Sequence, residues 1–327
     1  MSCFSLAISF VNAALASVRS EITAVFDADH QPDPTAFRRA ARWLTNGADV
    51  VQGHCLVRNG GETLVSKLVA VEFEAIYAVA HPGRARVHGF GIFGGTNGFW
   101  RTEVLKRKRM RGFMLTEDID SSMRVVERGG TIVSDPGLIS RELAPTTFKA
   151  LWNQRMRWAQ GWTQVSWKHL RPMMTRPNAS LRGRIGAFYL LAWREVYPWV
   201  SLQMFPLVAF WLLRGKPMNW FVPIFVVTTL FTFSAGPGQM LFAWRLGDGS
   251  IKQHRRWYWL FLFASLTFYT ELKNVIVRTA HLKELMGERT WKVTPRSVPT
   301  TSADPPDGIE RRDPTSLGGT MRHPHSA

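Results

Sequence analysis

Cysteine is almost missing from this sequence: Cys3 and Cys55 are the only two, so no disulfide framework is implied and a reducing cytosolic face suits the chain. Acidic residues are scarce as well, 24 against 41 lysines and arginines, which leaves a formal net charge of +17. That surplus suits phosphate groups and anionic lipid headgroups as partners. It would suit nucleic acid too, but no helix-turn-helix, zinc or RNA-recognition pattern accompanies it, so nucleic acid is not expected. Residues 1–10 lack the basic stretch that opens a signal peptide. The glycine fingerprint of a strand-loop-helix phosphate site is also missing; residues 89–98 are glycine-rich, which fits close backbone approach to a ligand and a cluster of turns equally well.

What is present begins with Glu21-Ile22-Thr23-Ala24-Val25-Phe26, a short apolar run that reads as a buried strand and delivers Asp27-Ala28-Asp29 at its carboxyl end. In open α/β sheets that edge is where ligands bind. Two carboxylates one residue apart repel, and a divalent cation with a preference for hard oxygen ligands, Mg²⁺ or Mn²⁺, resolves the repulsion; paired acids that cap a helix or face water are the plainer alternative. A second acidic motif, Thr116-Glu117-Asp118, opens a helical pattern carried by Ile119, Met123, Val125 and Val126 and closed by Gly129-Gly130. Glu117 fits a first-turn acid favoured by the helix dipole, and Asp118 fits a general base. The third element is Gln154-Arg155-Met156-Arg157-Trp158. Helical spacing puts Gln154, Arg157 and Trp158 on one side, an amide, a guanidinium and an indole together. A planar guanidinium matches phosphate oxygens and an indole face suits a sugar ring, although Trp152, Trp158, Trp162 and Trp167 with their basic neighbours also describe a helix in a headgroup layer.

In this order, the three motifs resemble those of the membrane-bound family 2 glycosyltransferases, the group of cellulose, chitin and hyaluronan synthases. Val51-Gln52-Gly53 with Arg58-Asn59 is similar to the family's strand after the metal motif, Phe93-Gly94-Gly95-Thr96-Asn97-Gly98 to its acceptor-side loop, and Trp291-Lys292-Val293-Thr294-Pro295-Arg296 to its gating motif. The resemblance implies a partial GT-A-like α/β domain followed by an α-helical transmembrane region. It implies Asp29 and Asp27 on the metal, Mg²⁺ or Mn²⁺, with Asp27 also toward the donor; Asp118 as catalytic base; Gln154, Arg155 and Arg157 on the diphosphate; Trp158, Gly95, Thr96, Asn97 and Glu117 toward the acceptor; and Trp291, Thr294 and Arg296 as the gate. The reaction implied is inverting transfer from a nucleotide-diphospho-sugar, a UDP-sugar by preference, to a growing polysaccharide. Transfer to a lipid-linked acceptor and a non-catalytic remnant are the alternatives. The family's domain starts with a strand and a nucleobase-binding acid well upstream of the metal motif, whereas 26 residues precede Asp27 here, so the resemblance implies an N-terminally shortened domain. Asn12-Ala13-Ala14-Leu15 resembles the family helix just before the metal strand.

The expected organisation is a catalytic part over residues 1–150, an interfacial amphipathic helix over 151–185, membrane or interfacial helices over 186–291, and a gating remainder with a disordered tail over 292–327. Within the first part, Pro32-Asp33-Pro34 introduces a helix from Thr35, and Leu64, Leu68, Val71, Ala75 and Val79 form a core stripe on a helix ended by His81-Pro82-Gly83. Residues 131–134 read as a short strand. Lys106-Arg107-Lys108-Arg109 with Arg111 reads as a solvated or lipid-facing patch. His54 and Cys55 are discounted as a nucleophile pair because adjacent strand residues point to opposite faces. Uncharged runs of 18 residues (196–213) and 25 residues (220–244) are long enough to cross a bilayer. With a cytosolic catalytic domain they return basic Arg245, Lys252, Arg255 and Arg256 to the cytosol, so a multi-pass cell-membrane protein with membrane lipids as partners is expected. Residues 257–270 are expected not to cross fully.

Overall fold

The computed structural model describes residues 3–288 except 178 and 204–233, and within that last stretch 213, 223, 226–227 and 229–230 are described. Trp291, Thr294, Arg296, the tail and parts of the two expected spans lie outside the described residues.

The chain opens with helix α1 (Cys3–Ser17), which the family resemblance placed before the metal strand. Ile8 and Leu15 bury one side of it, and Asn12 fixes its direction by exchanging two hydrogen bonds with the backbone of Met110, at 2.7 and 3.0 Å. Five strands follow: β1 (Ile22–Val25), β2 (Gln31–Pro32), β3 (Val50–Val57), β4 (Gly98–Arg101) and β5 (Ile132–Glu142), in the order β1-β4-β3-β5-β2. β3 and β5 run parallel, and the other pairings are antiparallel. β3 is buried at every residue, as its near-continuous apolar run requires of a central strand. β1 is half-buried rather than buried, because it is an edge strand with a partner on one side only. The strand expected at 131–134 extends to Glu142, and the β3–β5 ladder shifts register between Gly53 and His54 opposite the stretch that contains Pro136.

Helix α2 (Ala36–Thr45) starts where Asp33 accepts hydrogen bonds from the Thr35 amide at 2.9 Å and hydroxyl at 2.7 Å. Its Ala36, Ala40 and Leu44 pack on Val51, Phe99 and Leu138 of the sheet. Helix α3 (Leu64–Glu74) is capped by reciprocal Thr63 and Ser66 bonds and packs Leu68, Val69 and Phe73 against Cys55 and Leu56. Each such fully buried large side chain contributes roughly 1.5–3 kcal/mol. The helix does not end at His81-Pro82-Gly83. A wider turn over Ala75–Ala80 leads directly into α4 (His81–His88), and Gly89, at φ +75°, is the terminator. Pro82 is tolerated because it stands within the first turn of α4, just after the change of register. Leu64, expected in the core, is exposed as the first residue of α3.

The second half is helical: α5 (Thr102–Lys108), α6 (Glu117–Val126), α7 (Phe148–Thr175), α8 (Leu181–Phe188), α9 (Arg194–Val200), α10 (Gln239–Leu246) and one continuous helix α11 (Arg255–Leu285). Residues 257–270 are the first half of a 31-residue helix that continues past Glu271 and Lys273. Among the described residues α11 is long and apolar enough to cross a membrane, and 33% of its most apolar window is buried against protein. The basic patch is partly engaged: Lys106 and Lys108 donate to the carbonyls of Val18 and Arg124 at 2.6 and 2.7 Å, and Arg111 faces Asp120 at 3.5 Å.

Candidate active site

Asp27 and Asp29 stand in the turn that follows β1, the first exposed and the second half-buried. The Leu143 amide donates to Asp29 Oδ2 at 3.2 Å, which orients that carboxylate. His30 joins the pair, and one donor atom from each of the three residues lies within 4.8 Å of the others. Two carboxylates and an imidazole at that spacing fit a divalent cation with positions left for substrate phosphate. His30 carried no signal in the sequence beyond its place directly after the acidic pair.

The loop between α4 and β4 connects this cluster to the second acidic motif. The Asp27 amide donates to Thr96 Oγ1 at 3.1 Å, and on the neighbouring residue Gly95 a Cβ would stand 2.9 Å from Asp118 Oδ2. Gly95 has φ +92°, so glycine is required there for conformation as well as for space. Buried Gln52 pins the loop: its Oε1 accepts from the Gly94 amide at 2.7 Å and its Nε2 donates to the Thr96 carbonyl at 3.1 Å. Asn97 is fully buried and donates to the carbonyls of His54 and Leu138, both at 3.0 Å, so the structure commits it to holding the loop and turns it away from any acceptor.

Glu117 and Asp118 open α6 and are half-buried. Burial pushes both carboxyls up, Asp118 to about 6 and Glu117 to about 8, with Asp118 adding to the shift on Glu117. Arg157 acts on both in the opposite sense, which places its charge beside them. Helix α7 locks the motif in place: a Cβ on Gly161 would lie 2.4 Å from Thr116 Cγ2, and Gln164 Oε1 accepts from the Leu115 amide at 3.1 Å. The acid next in sequence, Asp120, is separate from this pair; Arg124, Lys168 and His169 surround it, at 2.8 to 3.0 Å.

On α7, Gln154 is buried, and among the described residues its Oε1 has no hydrogen-bond partner. Arg155 does not extend toward the acids. Its guanidinium bonds Glu72 at 2.7 Å and lies over the Trp158 ring at 4.3 Å, so one face of that indole is covered by the protein itself. Glu72 also accepts from the Tyr269 hydroxyl at 2.8 Å and faces Lys273 at 3.3 Å, and these neighbours hold its carboxyl below the usual range against its burial. A cleft of about 360 Å³ runs from Gly94, Thr116 and Asp118 to Arg155, Trp158 and Lys273, and so joins the acidic motif to α11. A larger cavity, about 1190 Å³, lies elsewhere, beside Trp43, Gly129 and Asp135, where the Asp135 carboxylate is already held by Arg39 and Trp43 at 2.6 to 2.8 Å. The cleft at Asp118 is smaller but is lined by the raised Asp118 carboxyl together with Arg155 and Lys273. Sequence spacing could not reveal Gln52, Glu72, Gly161 or Gln164 as supports, since each acts across a distance in the chain that no local period encodes.

His54 and Cys55 both have Tyr77 as a neighbour, the imidazole stacked on its ring at 6.1 Å and the thiol beside its hydroxyl. His54 Nε2 faces Glu74 at 3.3 Å, while burial pushes the Cys55 thiol well above its ordinary range, which leaves no basis for a nucleophile.

A family model described as glycosyltransferase like family 2 matches residues 7–161. The probable glucomannan 4-beta-mannosyltransferase 9 of Oryza sativa subsp. japonica is 28% identical over 172 residues, which cover 52% of this chain and 33% of that protein. The probable glycosyltransferase YdaM of Bacillus subtilis (strain 168) is 30% identical over 167 residues, 50% of this chain and 39% of that one. The matched part thus spans about a third of the length of these curated relatives. The solved mannosyltransferase PcManGT from Pyrobaculum calidifontis, in complex with GDP-Man and Mn²⁺, superposes with a TM-score of 0.47 at 17% identity, over 79% of this chain and 66% of that one.

Proposed function

Residues 7–161 belong to the family 2 glycosyltransferases, and on that premise we propose that the chain performs inverting transfer of a sugar from a nucleotide-diphospho-sugar to a growing polysaccharide at a membrane surface. The observation that carries the reading is one loop, Gly95-Thr96, that touches the carboxyl of Asp118 on one residue and the backbone of Asp27 on the next. A base and a phosphate-anchoring acidic pair are thereby set on either side of one small space.

In this reading Asp118 accepts the proton of the acceptor hydroxyl as that oxygen bonds the anomeric carbon, the bond from that carbon to the diphosphate breaks on the opposite side, and the proton later passes to solvent. A carboxyl with its affinity for protons raised by burial is the better base, provided it is ionised when the acceptor arrives. Asp27 and Asp29, with His30 beside them, would hold Mg²⁺ or Mn²⁺, which supplies positive charge against the departing diphosphate. Arg157, whose charge acts on both acids, would face the departing diphosphate, with Gln154 beside it on the same helix. Trp158 offers its uncovered face to an acceptor sugar in the cleft. Arg155, already paired with Glu72, is assigned to the framework of the cleft rather than to the diphosphate. The apolar length of α11 supports placement at a membrane.

Relatives named for mannosyl transfer into glucomannan make a mannosyl donor the natural rival of a UDP-sugar. The deciding experiment is calorimetric titration of UDP and of GDP, each with Mn²⁺, into detergent-purified protein beside Asp29→Ala. Metal-dependent heat with one nucleotide that disappears in the variant supports the reading and selects the donor. If neither nucleotide binds, the reading fails in favour of a non-catalytic remnant.

A further inference from the structure

Behind the acidic pair, the sheet gathers a second set of donor atoms of different character. Parallel register sets Cys55 of β3 opposite Ser140 of β5 and Val57 opposite Glu142. Residues two apart on a strand share a face, so Cys55, Ser140 and Glu142 project to the same side. β2 pairs with β5 with Gln31 opposite Arg141, which brings His30 over that side from the other edge. The result is a buried triad: one donor atom each from His30, Cys55 and Glu142 lies within 4.8 Å of the others.

The state of the imidazole is informative. Its Nδ1 stands 2.9 Å from Ser140 Oγ, within hydrogen-bond distance. Its Nε2 faces Glu142 Oε2 at 3.4 Å, is fully enclosed, and among the described residues has no hydrogen-bond partner. An imidazole anchored through one nitrogen, with the other nitrogen enclosed beside a thiol and a carboxylate, matches the arrangement of a metal-binding histidine with its supporting contact in place. The Cys55 thiol has the Tyr77 hydroxyl as a neighbour, which can donate to a sulfur that has lost its proton.

We propose that His30 Nε2, Cys55 Sγ and the Glu142 carboxylate form a second cation site that takes a thiophilic divalent ion, Zn²⁺ in place of Mg²⁺ or Mn²⁺. A nitrogen, a sulfur and an oxygen ligand suit zinc in a tetrahedral arrangement with one position open, whereas magnesium and manganese prefer all-oxygen surroundings. Binding releases the thiol proton to solvent. His30 belongs to both clusters, so an ion in the buried set fixes the ring that stands beside Asp27 and Asp29. The proposal concerns metal binding and stands whether or not sugar is transferred.

Co²⁺ alone, titrated into the metal-free full chain in detergent, is the test. The expected result is a thiolate-to-cobalt charge-transfer absorption that saturates at one equivalent. It should be lost in Cys55→Ser and kept in Cys3→Ser and Asp29→Ala, and a large excess of Mg²⁺ should leave it unchanged. Glu142→Gln leaves the thiol in place and should weaken the cobalt affinity by about tenfold or more, the scale on which even supporting partners of a metal ligand act. With circular dichroism confirming fold, it guards against misfolding of Cys55→Ser. Absence of the band in the parent protein, its persistence in Cys55→Ser, unchanged affinity in a folded Glu142→Gln, or displacement by equimolar Mg²⁺ would each overturn the proposal.

Discussion

Gly95 and Asp118 touch across the cleft: a single added carbon on residue 95 would stand 2.9 Å from the Asp118 Oδ2. That contact sets how far the acceptor-side loop can move without disturbing the base, and it makes Gly95→Ala a sharp probe. Alanine at φ +92° is strained and costs roughly 1 kcal/mol or more. The expected outcome is a fall in turnover of at least about tenfold, with nucleotide binding nearly intact, because in the proposed reading the donor is held by the carboxylates of Asp27 and Asp29 and not by Gly95. Equal losses in binding and turnover would mean that the loop collapses as a whole.

Asp118→Asn removes the proposed base and keeps the shape. Turnover should drop by roughly 10² to 10⁴, the usual contribution of a positioned base, while calorimetric affinity for the nucleotide with Mn²⁺ stays within about twofold. Retained turnover would take Asp118 out of the mechanism.

The pH profile follows from the same group. Burial raises the Asp118 carboxyl to about 6, and only the ionised form accepts a proton, so activity should rise as pH increases through about 6. Stability should move the other way. A carboxyl with a raised value in the folded state holds its proton there while the unfolded chain releases it, so the stabilisation is full below the ordinary carboxylate range and is lost as pH climbs through the folded value. Thermal unfolding between pH 4 and 8 of the parent and of Glu117→Gln, which removes the neighbour raised to about 8, should show a shallower decline in the variant. Parallel curves would contradict that assignment.

Arg155→Met tests the framework role of that arginine. Glu72 would keep Lys273 and Tyr269 but lose its 2.7 Å ion pair in a buried setting, at a cost of about 3 kcal/mol. The double variant Glu72→Gln with Arg155→Met should recover a large part of the loss in detergent melting curves. A single variant as stable as the parent would return Arg155 to the list of free phosphate-binding groups.

Gly161→Ala should also be costly, although alanine favours a helix. The new carbon would fall 2.4 Å from Thr116 Cγ2, and overpacking of this kind costs roughly 1–3 kcal/mol. Turnover should fall with stability, because Thr116 leads directly into Glu117 and Asp118; a variant more stable than the parent would show that α7 has room to shift.

The elements legible in the sequence are those with local causes. The Asp33-Pro34 turn, the Thr63-Ser66 cap, the central strand β3 and the helix after Thr116 follow from turn residues, caps and apolar periods within a few positions of one another. The end of α4 was misplaced for a local reason as well: Pro82 and Gly83 are helix breakers by propensity, but a widened turn ahead of them and a left-handed Gly89 after them move the stop by several residues. Helical spacing also put Gln154, Arg157 and Trp158 on one side of α7 but could not say that Arg155 would be taken up by Glu72, 83 positions earlier.

By itself the sequence determined the acidic pair at a strand end, the acid-led helix, the basic aromatic helix and the apolar length behind them, since hydrophobic period, charge and short-range turn chemistry are properties of neighbouring residues. Only the tertiary structure decided which of these groups meet. The loop at Gly95 and Thr96 bonds the backbone of Asp27 on one residue and lies against Asp118 on the other, Asn97 is spent on holding that loop, and His30 is turned between the carboxylate pair on one side and Cys55 with Glu142 on the other. The reason is that strand order and register, and the packing of α7 on Thr116, are fixed by contacts between residues far apart in the chain, and pairings of that kind leave no period for a sequence to display.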